Sequence, residues 1–467
     1  MRQSWFTLIE LMVAMVVGLT AVSSVYALGS AMSRQFFVEQ RVASSQGTSR
    51  VATLELRQDI SRAGLFGTPN AYLREGDTGV NRFEPTCDTN RPTLPLLGGG
   101  DGPLGAFQYY ANEDIAVLDP DSVNAGARAD RLRVLTSMYL TEQLLLNSTS
   151  IDGETLVLQT GNQAYRRTFA WGNTAGPFTS GSPPDYLPGT LNWDSAWGSE
   201  TGSWKGIGQR GARAFQSGSV LHVETPEGRH FFRTVFGKGN NVQNQIRLTL
   251  KAGDGLPIGT ACLPGAAEGS TIAPLQWVEY AIVDPFPPAD AFNATNGDDF
   301  LKFDGIFFGD LSDTDNPIHD VHALTEADLL EAPNRVLVRR ILDATDGSVK
   351  ANSTQIVAEF VTHFEVSFMI DANSGQTSGA SPPALGLSKG STAESTVNGN
   401  PERVRSVIID LGIRSPLEDP TLEYNGDVDA GVVPTRFEVN KNAKGSARVR
   451  HLRIEIPVMS IARKNLG

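Results

Sequence analysis

The chain has 467 residues, 40% of them hydrophobic, enough for one large domain or two to three ordinary ones with a real core. Its net charge is −13 with no long basic run, which argues against nucleic acid as the main partner. Charged residues are only 19% and glycine reaches 47, which disfavours a helical bundle and suits a β-rich protein with many turns.

The first segment reads MRQSWFTLIELMVAMVVGL. Leu11–Gly29 carries no charge over 19 residues, close to the ~20 a helix needs to span a bilayer. A cleaved signal peptide competes, with Arg2 as its positive charge and Tyr26–Gly29 as its end. The helical pattern does not stop there. Val38, Val42, Ser45, Ser49, Ala52, Leu56, Ile60 and Ala63 form one small-to-apolar stripe at helical period. Arg34, Glu39, Arg41, Arg50, Glu55, Arg57, Asp59 and Arg62 are assigned to the other faces. No proline interrupts before Gly67, and Gly64 is the expected stop. One helix from about Phe6 to Ala63 is expected, roughly 85 Å long, its first half lipid-facing and its second half amphipathic. Glu10 stands on the threshold of the apolar run, where an unpaired carboxylate is costly.

FTLIELMVAMVVGL, with its short leader and its Glu10, resembles the N-terminal signature of type IV prepilins and the related pseudopilins. The resemblance implies that the mature chain starts at Phe6, which is then N-methylated. It also implies that Glu10, as the fifth mature residue, faces the terminal amine of a neighbouring subunit and sets the register of bundled helices. In a low-dielectric bundle that attraction is much stronger than in water. Family leaders end in glycine, whereas this chain has Trp5 there, so inefficient cleavage between Trp5 and Phe6 is expected.

Beyond Gly67 the period changes. Alternating runs at 132–140, 154–160, 219–225, 230–236, 244–250, 277–283, 334–342, 355–371, 404–415 and 449–462 read as half-buried antiparallel strands. TPEG (225–228) reads as a hairpin turn between two of them. A long helix followed by strands implies an α+β fold: the helix, with a membrane-spanning first half and an amphipathic second half, packed on an antiparallel β-sheet head. LELRQDISRAGLFG (54–67), IVAEFVTHFEVSFMID (356–371), VRSVIIDLGIRS (404–415) and IARKNLG (461–467) narrow the resemblance to the PilW-type minor pilins. The expected organisation is a leader over 1–5, a transmembrane part over 6–29, an amphipathic part over 30–64 and a periplasmic head over 65–467. Stretches 172–206 and 372–402 within that head are expected to be flexible. TCDTNRPTLPLLGGGDGPLG (86–105) reads as a turn-rich loop.

Two cysteines, Cys87 and Cys262, lie outside any metal-binding spacing. In an exported protein they are expected to pair, closing a loop of roughly 175 residues worth ~4–5 kcal/mol in the chain-entropy model. GGGDGPLG (98–105) lacks the ending of a phosphate loop. Asp310, Asp313 and Asp315, with Asp320, could gather Ca2+ ligands, but the EF-hand glycine and final glutamate are missing, so a solvated acidic loop is the preferred reading. Among the six histidines, His319 and His322 are three apart without an evident partner. Trp193, Trp197 and Trp204 sit in a Gly/Ser loop and are read as packed back on the domain, an adhesive loop being the alternative. No nucleophile motif or metalloprotease motif is present, so an enzyme is not expected, nor is a cofactor.

The function implied by the resemblance is that of a minor pilin of a type IV pilus, taking part in the priming of assembly and in the tip complex. It would be a single-pass inner-membrane protein with Arg2 cytoplasmic and a periplasmic head. Its partners would be other minor pilins, the major pilin, the prepilin peptidase, the inner-membrane assembly platform and membrane lipid. A minor pseudopilin of a type II secretion system and a membrane-anchored periplasmic adhesin are the alternatives.

Overall fold

The computed structural model describes residues 8–64, 105–119, 124, 126–137, 143–159, 215–226, 230–239, 247–253, 255–256, 269–283, 335–350, 353–371, 384–415, 435–438 and 446–458. Helix α1 runs Leu8–Ser61. Its last turns show a helical stripe: Ser49, Ala52, Leu56, Asp59, Ile60 and Ala63 are buried, while Arg50, Val51, Leu54 and Arg57 are exposed. Gly64, at φ 68, adopts the left-handed conformation that ends a helix cheaply.

Among the described residues fifteen strands follow, all paired antiparallel. They are β1 (Phe107–Tyr110), β2 (Arg131–Thr136), β3 (Leu144–Thr149), β4 (Thr155–Leu158), β5 (Val220–Glu224), β6 (His230–Gly239), β7 (Arg247–Leu250) and β8 (Thr271–Val283). After them come β9 (Val336–Leu342), β10 (Gln355–Ala358), β11 (Val361–Asp371), β12 (Leu385–Lys389), β13 (Val404–Arg414), β14 (Arg436–Phe437) and β15 (Ala447–Pro457). Two short helices are also described, α2 (Ile115–Leu118) and α3 (Gly390–Gly399).

The long strand β8 organises the chain. Its first residues pair with β3 on one side and β5 on the other. Because β5 pairs with β6, β6 with β7, β7 with β4 and β4 with β3, these six strands close on themselves. The interior of this barrel is apolar: Leu144, Leu146, Leu156, Leu158, Leu221, Val223, Phe231, Val235, Leu248, Leu250 and Ile272 fill it. Such a filled interior is what a narrow barrel permits. The second half of β8 pairs instead with β2 and β9, which are flanked by β1 and β10. Pro274, which has no N–H to give, falls where one side of β8 has no partner among the described residues, between the stretches paired with β3 and β2.

A second sheet, ordered β12-β11-β13-β15-β14, faces the β1-β2-β8-β9-β10 half. The core between them holds Val278, Tyr280 and Ile282 of β8, Phe364, Val366 and Phe368 of β11, and Val407, Ile409 and Leu411 of β13. Phe368 touches both Phe107 and Tyr109 edge-on, with centroids 6.1 and 5.1 Å apart. Ala52, Leu56, Ile60 and Ala63 of α1 enter the same core, with α1 lying against β10 and β15.

Several expectations are corrected. The described chain is mostly antiparallel β-structure, in two sheets of which one is partly rolled into a barrel, rather than a long helix laid on one sheet. The α+β, pilin-like fold class is replaced accordingly. Strands throughout the middle of the chain have apolar faces that only ring closure and sheet-on-sheet packing bury. Among the described residues no helix is long and apolar enough to cross a membrane. This overturns the transmembrane part over 6–29 and the single-pass inner-membrane placement. The uncharged run is diluted by Gly18, Thr20, Ser23, Ser24 and Tyr26, and the Thr20 and Ser24 hydroxyls donate back to the Val17 and Thr20 carbonyls at 2.9 and 2.8 Å. No disulfide is found among the described residues, and Cys87 and Cys262 lie outside them. Part of the stretch expected to be flexible, 384–402, is ordered as β12, α3 and a 3-10 turn at Pro401–Arg403. Ala393 and Val397 bury there despite the lack of large apolar residues. The single strand expected over 355–371 is broken at Phe360, which takes φ 56 beneath the Arg414 guanidinium, 5.1 Å from its ring.

Asp59, expected on the outer face of α1, is the helix's buried anchor at 4% exposure. Its Oδ2 accepts from Tyr280 Oη at 2.8 Å and from Arg339 Nε at 2.6 Å. Burial and then Asp59 push the Tyr280 hydroxyl's pKa upward. Burial alone would lower Arg339, and the Asp59 charge overcomes it and raises the guanidinium. Asp59→Ala strands both partners in the core and is predicted to cost about 3–5 kcal/mol in urea unfolding, the range for breaking a buried pair. Arg57→Ala, on the exposed side one residue pair away, should stay within about 0.5 kcal/mol.

Candidate functional site

The sequence points first to the N-terminus. Trp5 and Phe6 lie outside the described residues. Glu10 falls in the first turn of α1, and its side chain lies outside them too. Asp310, Asp313 and Asp315, the Trp193–Trp204 loop and residues 86–104 of the 86–105 loop are likewise outside. Among the described residues no group of three or more His, Cys, Asp or Glu could hold a metal.

What the structure does describe is the surface of α1 ahead of the head. Met12, Val13, Met15, Val16, Val17, Leu19, Val22, Val25, Tyr26, Leu28 and Met32 are exposed, from 57% at Val13 to 79% at Tyr26. Consecutive positions on a helix are 100° apart, so these side chains surround the axis rather than forming one stripe. A helix apolar on every face is normally enclosed by other chains or elements. Exposed apolar surface of this extent marks an interaction site. The helix is thus bipartite: a foot fixed by Asp59 in the core, and an apolar rod with no cover among the described residues.

The head supplies rigid support for that foot. On the opposite face of β8 from Tyr280, Glu279 is 1% exposed and accepts from Arg133 Nε and Arg340 Nε, each at 2.6 Å. Burial works to raise this carboxyl, and Arg340 and Arg133 overcome it and hold it below the usual range. Asp114 pairs with Arg131 and accepts from the Ile282 N–H at 3.2 Å, tying the turn after β1 to β8. Asp130 links the two sheets: it accepts from Tyr109 Oη at 2.7 Å, Val366 N at 2.7 Å and Asn112 N at 2.9 Å. Burial raises its pKa to about 6, against the pull of those donors.

Two histidine pairs, neither foreseen, lie across neighbouring strands. His222 and His230 are diagonal neighbours on β5 and β6, opposite Phe232 and Glu224 respectively, with ring nitrogens 2.8 Å apart. On the second sheet the register sets His363, Gly412 and His451 in one row. Gly412 is required there, because a Cβ would lie 2.7 Å from His451 Cε1 and 2.8 Å from His363 Cβ. His451 Nδ1 lies 3.0 Å from Asp410 Oδ1. Burial, then repulsion from His451, pushes His363 down to about 4. No step of chemistry follows from these pairs, which pack strands together.

A histidine held neutral by the fold favours unfolding once protons are available. The unfolded residue titrates near 6.5 and the folded one near 4, so its stabilising share is whole above pH ~6.5 and is lost as pH falls towards 4. Asp130 runs the other way, its share present below pH ~4 and lost as pH rises through 6. His363→Gln is therefore predicted to lose less stability than the parent between pH 7 and pH 4.5, by roughly 2 kcal/mol in urea midpoints, while Gly412→Ala should destabilise at every pH. No family model, curated protein or solved structure matches this chain.

Proposed function

We propose that this protein is a minor pilin of a type IV pilus that takes part in priming pilus assembly. The observation that carries the reading is the bipartite helix: a foot clamped in a rigid head, and a projecting rod whose large exposed apolar side chains between Met12 and Met32 surround its axis. Its role is structural. The rod is enclosed by the rods of neighbouring subunits, each buried Val, Leu or Met contributing about 1.5–3 kcal/mol. That burial is strong but indifferent to axial offset. Glu10 supplies the offset, since a carboxylate inside such a bundle is tolerated only where a cation meets it. The amine of an adjoining Phe6 is the cation the prepilin-like motif implies. The Asp59 clamp transmits that offset to the head.

The reading is tested by deleting the gene, counting surface pili, and complementing with the parent or with Glu10→Ala. Deletion should reduce pili tenfold or more, the parent should restore them, and Glu10→Ala should restore few. Unchanged piliation after deletion contradicts the priming role. Normal pili with lost protein secretion would favour a pseudopilin instead.

A further inference from the structure

Open strand edges are templates for pairing, and folded proteins cover them. Among the described residues this molecule closes most of its own. The barrel strands have no edge, because they form a ring. Beside β1 lies α3, where Asn398 imitates a strand: its Nδ2 donates to Tyr109 O at 2.8 Å and its Oδ1 accepts from Tyr109 N at 2.7 Å. Glu394 accepts from Ala111 N at 3.3 Å one step further on. Strands β10 and β15 lie against α1, with Gln355 donating to Glu55 at 2.8 Å.

Among the described residues the exceptions are the two end strands of the second sheet, β14, which is only two residues long, and the five-residue β12. Strand β12 is paired with β11 alone, and four of its five residues are exposed. It carries no proline and no bulge, and its only charge is the terminal Lys389. Its side-chain pattern is also inverted. Gly386 and Ser388 stand opposite Ile370 and Phe368, whose side chains enter the core. Leu385 and Leu387, each 54% exposed, stand opposite Asp371 and Met369 on the outer face. A solvent-facing strand would normally place small or charged residues there and leucines inward.

We propose that β12 is a strand-acceptor site, filled by an extended segment of a neighbouring subunit of the same assembly. A row of backbone donors and acceptors is matched by another extended backbone, and leucines two apart select apolar side chains at alternate positions of the incoming strand. Lys389, 63% exposed and only loosely paired with Glu365 at 3.8 Å, selects an acidic residue beside one end of it. Self-pairing is disfavoured: five residues span about 17 Å, far below the 20–30 residues a side of a standard interface, and copies carrying −13 repel. The guest strand is therefore supplied by a subunit already held close by the helical rods, which raises its effective concentration. In this respect the inference rests on the pilus reading.

The test uses the full chain in cells that assemble the fibre, with a photo-crosslinking residue at Leu387, at Val16 on the rod, or at fully exposed Ile151 on the barrel. Leu387 should crosslink to an extended segment of another fibre subunit, mapped by mass spectrometry, at least tenfold above Ile151. Leu385→Lys should abolish that product while leaving the urea midpoint unchanged. Were that midpoint to move, Lys389→Glu serves in its place and should weaken the product several-fold. Crosslinks confined to the chain's own residues, or no excess over Ile151, overturn the proposal. A product at Val16 with none at Leu387 defeats the strand-acceptor site alone, and loss of both defeats the pilus reading with it. A product at Leu387 without one at Val16 upholds the edge and defeats the helical rod contact.

Discussion

One carboxylate joins the two parts of this molecule. Asp59 lies on the face of α1 that enters the core, and there it meets Tyr280 of β8 and Arg339 of β9. A charge so placed survives only because both of its partners are fixed by the sheet. Leu56 and Ile60 would attach the helix without it, yet apolar contacts tolerate slippage by a turn, whereas two donors aimed at one oxygen do not. The clamp therefore decides the angle and depth at which the rod leaves the head, and every proposal for assembly depends on that rod having one fixed direction.

Strand β8 is the other half of the same constraint. Its even-numbered side chains serve two cores in succession, Ile272 in the barrel and Val278, Tyr280 and Ile282 in the sandwich. Its opposite face carries Trp277 in a third apolar cluster and Glu279 between two arginines. A shift of one residue would exchange these faces and turn Glu279 away from its arginines into the apolar core in place of Tyr280. Ring closure on one half and the ionic pairs on the other hold the register, so the helix foot rests on a surface that cannot slide.

Much of the β-structure was legible from alternation. RLRVLT, VLHVE, VLVRRIL and VRSVIIDLGIR combine β-branched or large apolar residues with polar neighbours, and each forms a strand where that pattern stands. What alternation cannot carry is who pairs with whom, so the barrel was invisible: its closure depends on β3 and β5 meeting opposite sides of β8 across long chain separations. FQYY is too short to register as a strand. The weakly apolar β12 and α3 were mistaken for flexible chain because a glycine and a serine face the core, and small residues suffice where a helix lies close. The charge of Asp59 reads as outward, yet its position three after Leu56 and one before Ile60 sets it on the buried face. Of the candidate site, the motif around Glu10 came from the residues alone, and the exposed apolar rod behind it from the structure.

Hydrogen exchange on the full chain measures the central claim directly. If Asp59 makes the foot of α1 part of the head, amides of Ala52–Ile60 should exchange as slowly as those of β8, through unfolding of the whole head, and Asp59→Asn should release them to faster, local opening. Exchange of those amides at the rate of an exposed helix in the parent protein, with β8 still protected, would show that the helix is only resting on the head and would contradict the account.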